Sequence, residues 1–195
     1  YLCIAGELAA VICIHDPLRR EARDAVAALH ACGIGKVVMM TGDNRQTAQA
    51  VAREVGVDAV YAEVLPEDKA AFIRSEKAAG HTVIMVGDGV NDSPALSEAD
   101  AGVAISTGAA IAREIADITI ASEDLFELVT LRRLSQALMA RIHRNYRFIV
   151  GFNLSLILLG VAGLLPPTTS ALLHNMSTLG ISLKSMTDLQ PDQPQ

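Results

Sequence analysis

Tryptophan is missing from this chain of 195 residues, and Phe, Tyr and Trp together supply only 4% of it. Half of the residues (51%) are nonetheless apolar. Alanine and the aliphatics therefore carry the hydrophobicity, which suits α/β layers or membrane helices. Basic charge is also scarce, with 16 Lys and Arg against 22 Asp and Glu and a formal net charge of −6. That balance excludes the basic face of a general nucleic-acid binder, so no nucleic-acid partner is expected. Cys3, Cys13 and Cys32 are the only cysteines, an odd number without a CxxC spacing, which excludes a disulfide framework and a zinc knuckle and suits a reducing compartment. Each reads as a small core residue. No charged segment precedes an apolar run at the N-terminus, so there is no signal peptide to read, and a chain that begins on Tyr1 reads as a piece of a longer one.

What is present alternates. Residues 1 to 14 read as a hairpin, YLCIA and LAAVICI, leading to Asp16-Pro17-Leu18-Arg19. Ala22, Val26 and Leu29 recur at helical spacing, and Lys36 to Met40 form a short apolar strand. A helix over 45–55 capped by Asn44, a strand near 59–64, a helix from Pro66 closed by Gly80 and a strand over 82–86 follow. A short helix near 94–98, a strand at 102–105, a helix near 109–116 and a strand at 118–121 complete the series. Strands separated by helices of this length imply right-handed crossovers and a mostly parallel sheet. The fold class expected for residues 1–124 is α/β, a partial, doubly wound, Rossmann-like parallel sheet.

Beyond Asp124 the character changes. Residues 125–147 read as a basic linker helix carrying Arg132, Arg133, Arg141, Arg144 and Arg147. Phe148 to Leu165 then run without a charge; as one helix they would reach about 27 Å and span a thin bilayer. Pro166-Pro167 break the run, and a second uncharged segment, Thr168 to Leu183, follows. The expectation is a transmembrane helix pair over 148–187 in a lipid bilayer. Arginines before the pair and Lys184 after it place residues 1–147 and the tail in the cytoplasm of a multi-pass cell-membrane protein. The tail, 188–195, reads as disordered.

In an open parallel sheet, ligands collect outside the carboxyl ends of the strands. The strand ending at Met40 delivers Thr41-Gly42-Asp43-Asn44, the loop after Val64 leads to Lys69, and the strand ending at Val86 delivers Gly87-Asp88-Gly89-Val90-Asn91-Asp92-Ser93-Pro94. A hydroxyl, a lysine and two carboxylates suit phosphate plus Mg²⁺, a hard cation that shares itself between carboxylate and phosphate oxygens. Asp88 suits it directly and Asp92 directly or through water. Lysine meets the negative charge of a transferring phosphoryl group. Taken singly, Thr41-Gly42-Asp43-Asn44 also suits a turn with a helix cap, and Lys69 a solvated charge; GDGVNDSPAL at 87–96 is too specified for a plain turn.

TGDN at 41–44, PEDK at 66–69 and GDGVNDSPAL at 87–96, with DPLR at 16–19 and ADAGVAI at 99–105, resemble in order the phosphorylation-domain motifs of P-type ATPases, within the haloacid-dehalogenase superfamily. The resemblance covers nearly the whole chain. It implies that Thr41, with Gly42 and Asp43 in its motif, and Lys69 contact the phosphoryl group, that Asp88 binds Mg²⁺, and that Asn91 and Asp92 complete the site. It implies ATP as cosubstrate, bound mainly by a nucleotide-binding domain of which this chain holds only the end. The family is phosphorylated on the aspartate of an Asp-Lys-Thr-Gly motif, and none occurs here. The strand bearing the nucleophile is expected upstream, and the chain alone is expected to be inactive.

Two closing membrane helices after that domain resemble the heavy-metal-transporting class, in which intramembrane residues help bind the metal. Polar groups within a membrane segment mark a pathway by default, and Asn153, His174, Ser177 and Thr178 are the candidates for the transported ion. HNMST at 174–178 looks closest to a His-Glu-Gly-Gly-Thr type of motif, with Asn175 in place of the glutamate and Met176 in place of a glycine, and it lacks the Met-x-x-Ser-Ser pattern of copper(I) pumps. Imidazole with oxygen donors suits a divalent transition-metal cation (Zn, Co, Ni, Mn or Cd) better than Cu(I). The leading expectation is the C-terminal part of an ATP-driven exporter of such a cation. The alternatives are a non-catalytic truncated fragment and a membrane-tethered phosphatase of the same superfamily.

Overall fold

The structure is a computed structural model that describes residues 2–11, 17–87, 92–105, 115–122 and 124–189. It divides into two compact units, Tyr1–Phe126 and Glu127–Gln195.

The first unit opens with a hairpin of β1 (Leu2–Ile4) and β2 (Glu7–Ala10), antiparallel with Cys3 opposite Leu8 and Ile4 opposite Glu7. Ala5 (φ +54°) and Gly6 (φ +86°) form its turn. Two successive positive φ values match the right-handed twist of the strands. The chain then alternates: α1 (Ala22–Ala31), β3 (Val38–Met40), α2 (Arg45–Val55), β4 (Ala59–Tyr61), α3 (Pro66–Ala78), β5 (Ile84–Gly87), α4 (Ser93–Glu98), β6 (Ala101–Ile105) and β7 (Ile118–Ile120). The helix ends follow from local chemistry. Asn44 Oδ1 accepts from Thr47 N at 2.9 Å to cap α2. Gly56, at φ +81°, ends α2 in the left-handed region. Pro66 starts α3 where its missing N–H is no loss, and Asp68 Oδ2 accepts from Leu65 N at 3.2 Å.

β3 pairs with β4 in parallel, and β5, β6 and β7 form a second parallel sheet in that order. The parallel α/β class is met, but the single expected sheet is not. Among the described residues β3 and β5 do not pair with each other, which leaves each with one free edge and divides the layer into two parallel sheets plus the hairpin. The core of the unit is Ile73, Met85, Ala95 and Leu96. α4 lies so close over β6 that a Cβ on Gly102 would meet Leu96 O at 2.7 Å. The helix expected near 109–116 falls mostly outside the described residues.

The second unit is a helical hairpin of α5 (Phe126–Val161) and α6 (Pro167–Ser185). Linker and apolar segment are one continuous helix, with no proline anywhere between Phe126 and Val161. The expected transmembrane pair is not met as such: among the described residues no helix is long and apolar enough to cross a membrane. The reason lies at Gly163. At φ +72° it turns the chain out of the helix, with Gly163 N bonded to Gly160 O and Leu164 N to Leu159 O, both at 3.0 Å. The uncharged run is thereby split, and the part left in α5, 148–161, reaches only about 21 Å behind a segment rich in arginine. In α6, Ser, Thr, His and Asn offset the leucines. Arg141 secures the open end of the hairpin, donating to the carbonyls of Thr187 (2.6 Å), Asp188 (2.8 Å) and Ser185 (3.3 Å). These include carbonyls that the end of α6 leaves without a helical partner. From residue 190 on, the tail lies outside the described residues.

Candidate functional site

β3, β4 and β5 all deliver their following loops at their carboxyl ends. After β3, Thr41 Oγ1 donates to Asp43 Oδ2 at 2.8 Å and accepts from Asp43 N at 3.1 Å. Asp43 thereby fixes the rotamer of the threonine. Backbone bonds tie this loop to the segment after β4: Thr41 N to Tyr61 O (3.0 Å), Val64 N to Thr41 O (3.1 Å) and Glu63 N to Asp43 O (2.9 Å). Glu63 takes φ +57° to make the last of them. The bonds hold Thr41-Gly42-Asp43 against the segment that leads into α3.

From the first turn and a half of α3, Lys69 Nζ donates to Asp92 Oδ1 at 2.7 Å. Their side chains are only 14% and 12% exposed. A pair so far withdrawn from water interacts much more strongly than a surface pair. Asp92 is the buried polar residue among those described, and no buried side-chain polar atom there lacks a hydrogen bond. The second oxygen of Asp92 faces the tip of β5, where a Cβ on Gly87 would lie 2.6 Å from Oδ2. Only glycine lets the strand end and the carboxylate approach so closely.

Of the expected site residues, the structure joins Lys69 to Asp92 and Thr41 to Asp43, the two pairs bonding within themselves. Asp88 and Asn91 lie outside the described residues, as do Gly89 and Asp16. Oxygen donors beside a lysine are the chemistry that phosphate and Mg²⁺ require, and Asp92 Oδ2, not bonded to Lys69, fits that donor set. The amino ends of the strands carry a different set. Lys36 and His81 bond Glu76 at 3.2 and 2.8 Å, and hold its carboxyl below its ordinary 4.5. Val83 N donates to Asp100 Oδ2 at 2.8 Å; with Lys77 beside it, that holds Asp100 below 3.8. These groups tie the bottom of the layer and face away from the site.

In the hairpin, His174 Nδ1 meets Asn153 Oδ1 at 2.8 Å, bringing two expected residues together across α5 and α6. Ser177 Oγ and Thr178 Oγ1 both donate to His174 O, at 2.8 and 3.0 Å. Sequence reasoning overlooked the Arg141 clamp. Its signal was an arginine some forty residues from the carbonyls it caps, which no local pattern reveals.

Residues 2–100 match the family of haloacid dehalogenase-like hydrolases. The chain is 45% identical over 173 residues to copper-transporting ATPase 2 of Rhizobium meliloti, covering 89% of this chain and 21% of that protein. It is 40% identical over 185 residues to a manganese-exporting P-type ATPase of Mycobacterium bovis, covering 94% of this chain and 26% of the relative. Among solved structures, a zinc-transporting PIB-type ATPase in its E2.Pi state superposes with a TM-score of 0.81 at 32% identity, over 88% of this chain and 28% of that one. The chain thus spans about a fifth to a quarter of the curated relatives it matches.

Proposed function

Because this chain belongs to the haloacid dehalogenase-like hydrolase family, and its relatives over most of its length are heavy-metal P-type ATPases, we propose that it forms the second half of a phosphorylation domain and the hairpin that follows it. The whole protein, in this reading, couples formation and hydrolysis of an aspartyl phosphate, at the expense of ATP, to export of a divalent transition-metal cation.

The observation that carries the reading is the Lys69–Asp92 pair, withdrawn from solvent at the carboxyl end of β5. Lys69 supplies positive charge where a phosphoryl group gains negative charge in transfer. Thr41, its rotamer set by Asp43, offers a hydroxyl to a phosphoryl oxygen, and the Gly42 amide stands beside it. Asp92, with Asp88, would hold Mg²⁺, whose contribution when bound is to neutralise phosphate charge. The nucleophilic aspartate comes from a strand outside this sequence. Support for that is the one free edge that, among the described residues, β3 and β5 each keep, where backbone groups are offered to a further strand.

The reading sets the apolar part of α5, from Phe148 on, and α6 in the membrane of a multi-pass protein, with residues 1–147 and the tail cytoplasmic. Support comes from the large apolar side chains exposed along both helices, among them Phe148, Leu154, Ile157, Leu158, Leu172 and Leu179. A contiguous apolar surface of that kind marks a lipid or protein contact. Copper, manganese and zinc appear among the relatives, so similarity does not choose the cargo. The imidazole of His174 supports a borderline divalent cation such as Zn²⁺ or Co²⁺.

The test is ATPase activity of the longer protein against a panel of metals. Stimulation by Zn²⁺ or Co²⁺ above Cu(I), lost in His174→Ala and largely kept in Asn175→Ala, supports the reading. Equal loss in both variants, or stimulation by Cu(I) alone, contradicts it.

A further inference from the structure

The polar side chains in the apolar half of the hairpin are not equivalent. Ser155, Ser177, Thr178 and Ser182 each donate their hydroxyl proton to a carbonyl three or four residues back in their own helix, at 2.8 to 3.0 Å. Such bonds satisfy a hydroxyl locally and leave it little reason to reorganise. His174 and Asn153 instead bond across the helices, at 2.8 Å between Nδ1 and Oδ1. An amide oxygen can only accept, so the proton of that bond belongs to Nδ1. A neutral imidazole protonated at Nδ1 has its one lone pair at Nε2. Nε2 makes no hydrogen bond among the described residues.

We propose that Asn153 is a positioning residue: it holds His174 as the Nδ1–H tautomer, so that Nε2 is the imidazole donor presented to the transported divalent cation. The proposal rests on the transport reading above and deepens it. Asn153, in place of ligating the ion itself, does what an outer partner does for a metal-binding histidine, fixing both tautomer and ring orientation. Ser177 and Thr178 then serve the backbone of α6 and stand outside the donor set. Among the described residues no group of three or more His, Cys, Asp and Glu is gathered to hold a metal.

The test is a ¹⁵N-histidine NMR spectrum of the 195-residue chain in lipid nanodiscs, with His174→Gln to assign the resonances and Zn²⁺ as the probe. The expected result is a protonated Nδ1, an unprotonated Nε2, and a shift of Nε2 on adding Zn²⁺. Asn153→Leu should mix the tautomers and weaken the Zn²⁺ response about tenfold or more. Asn153→Asp, which keeps an acceptor in place, should preserve both and shows that the hairpin tolerates substitution there. A wild-type spectrum with the proton on Nε2, or an Asn153→Leu variant that binds like wild type, overturns the proposal. A correct tautomer that ignores Zn²⁺ overturns its cation half. Failure of metal to stimulate the longer protein, with tautomer and Zn²⁺ response intact, would count against the transport reading and leave this assignment standing.

Discussion

Lys69 Nζ and Asp92 Oδ1 lie 2.7 Å apart, joining the start of α3 to the residue that precedes α4. Removing one partner strands the other charge away from water. Lys69→Met should therefore destabilise the first unit by about 3 kcal/mol. Urea unfolding of the chain, followed by far-ultraviolet circular dichroism, measures it. A loss below the value of a surface ion pair would mean that Asp92 is solvated.

Gly87 and Gly102 both face atoms closer than a Cβ tolerates, but of different kinds. Gly87 faces the Asp92 side chain, with Oδ2 at 2.6 Å, and Gly102 faces the Leu96 backbone, with its oxygen at 2.7 Å. A side chain can swing aside and a helix backbone cannot. Gly87→Ala should cost about 1–3 kcal/mol and disturb the Lys69 pair, while Gly102→Ala should cost more. Thermal unfolding of the two variants side by side decides it, and an equal or reversed order contradicts the packing.

Acid should loosen the amino ends of the strands. Glu76 is held below 4.5 by Lys36 and then His81, and Asp100 below 3.8 by the Val83 N–H and then Lys77. A carboxyl lowered in the folded state adds stability that is complete above its unfolded value and fades as pH falls through its folded one. The contribution should be level above pH 4.5 and decline below it. Asp100→Asn should flatten that decline, as hydrogen exchange of the Val83 amide between pH 3 and 6 would show; an unchanged profile excludes the role.

Much of the fold could be read locally. Asn44, Gly56, Pro66 and Gly80 punctuate the helices where their chemistry requires, and the apolar runs before Thr41 and Asp88 are strands because β-branched and aliphatic residues suit a pleated, partly buried layer, with Met85 buried and Ile84 and Val86 left exposed. What could not be read depends on distance or on dihedral angle. Nothing around Lys69 points to Asp92, 23 residues away. The parting of β3 from β5 is a matter of long-range strand pairing, which no local pattern records. Hydropathy counts Leu164 and Leu165 with the apolar run, whereas the positive φ of Gly163 ends the helix before them. The boundary expected at Arg147 was one of composition, with no breaker in the backbone to enforce it.

The half-site also predicts the behaviour of the chain by itself. With no Asp-Lys-Thr-Gly sequence to receive phosphate, purified residues 1–195 should show no Mg²⁺-dependent hydrolysis of ATP or of a phosphomonoester. Turnover abolished by Asp88→Ala would favour the phosphatase alternative.

The most direct measurement is the labelled phosphoenzyme formed by the longer protein from radioactive ATP with Mg²⁺ and Zn²⁺, in the wild type and in Asp88→Asn and Lys69→Met. The account predicts an acid-stable, hydroxylamine-labile label in the wild type, with its formation or turnover slowed by orders of magnitude in both variants. Near-normal labelling and turnover in either variant would contradict the assignment of these residues to phosphoryl transfer.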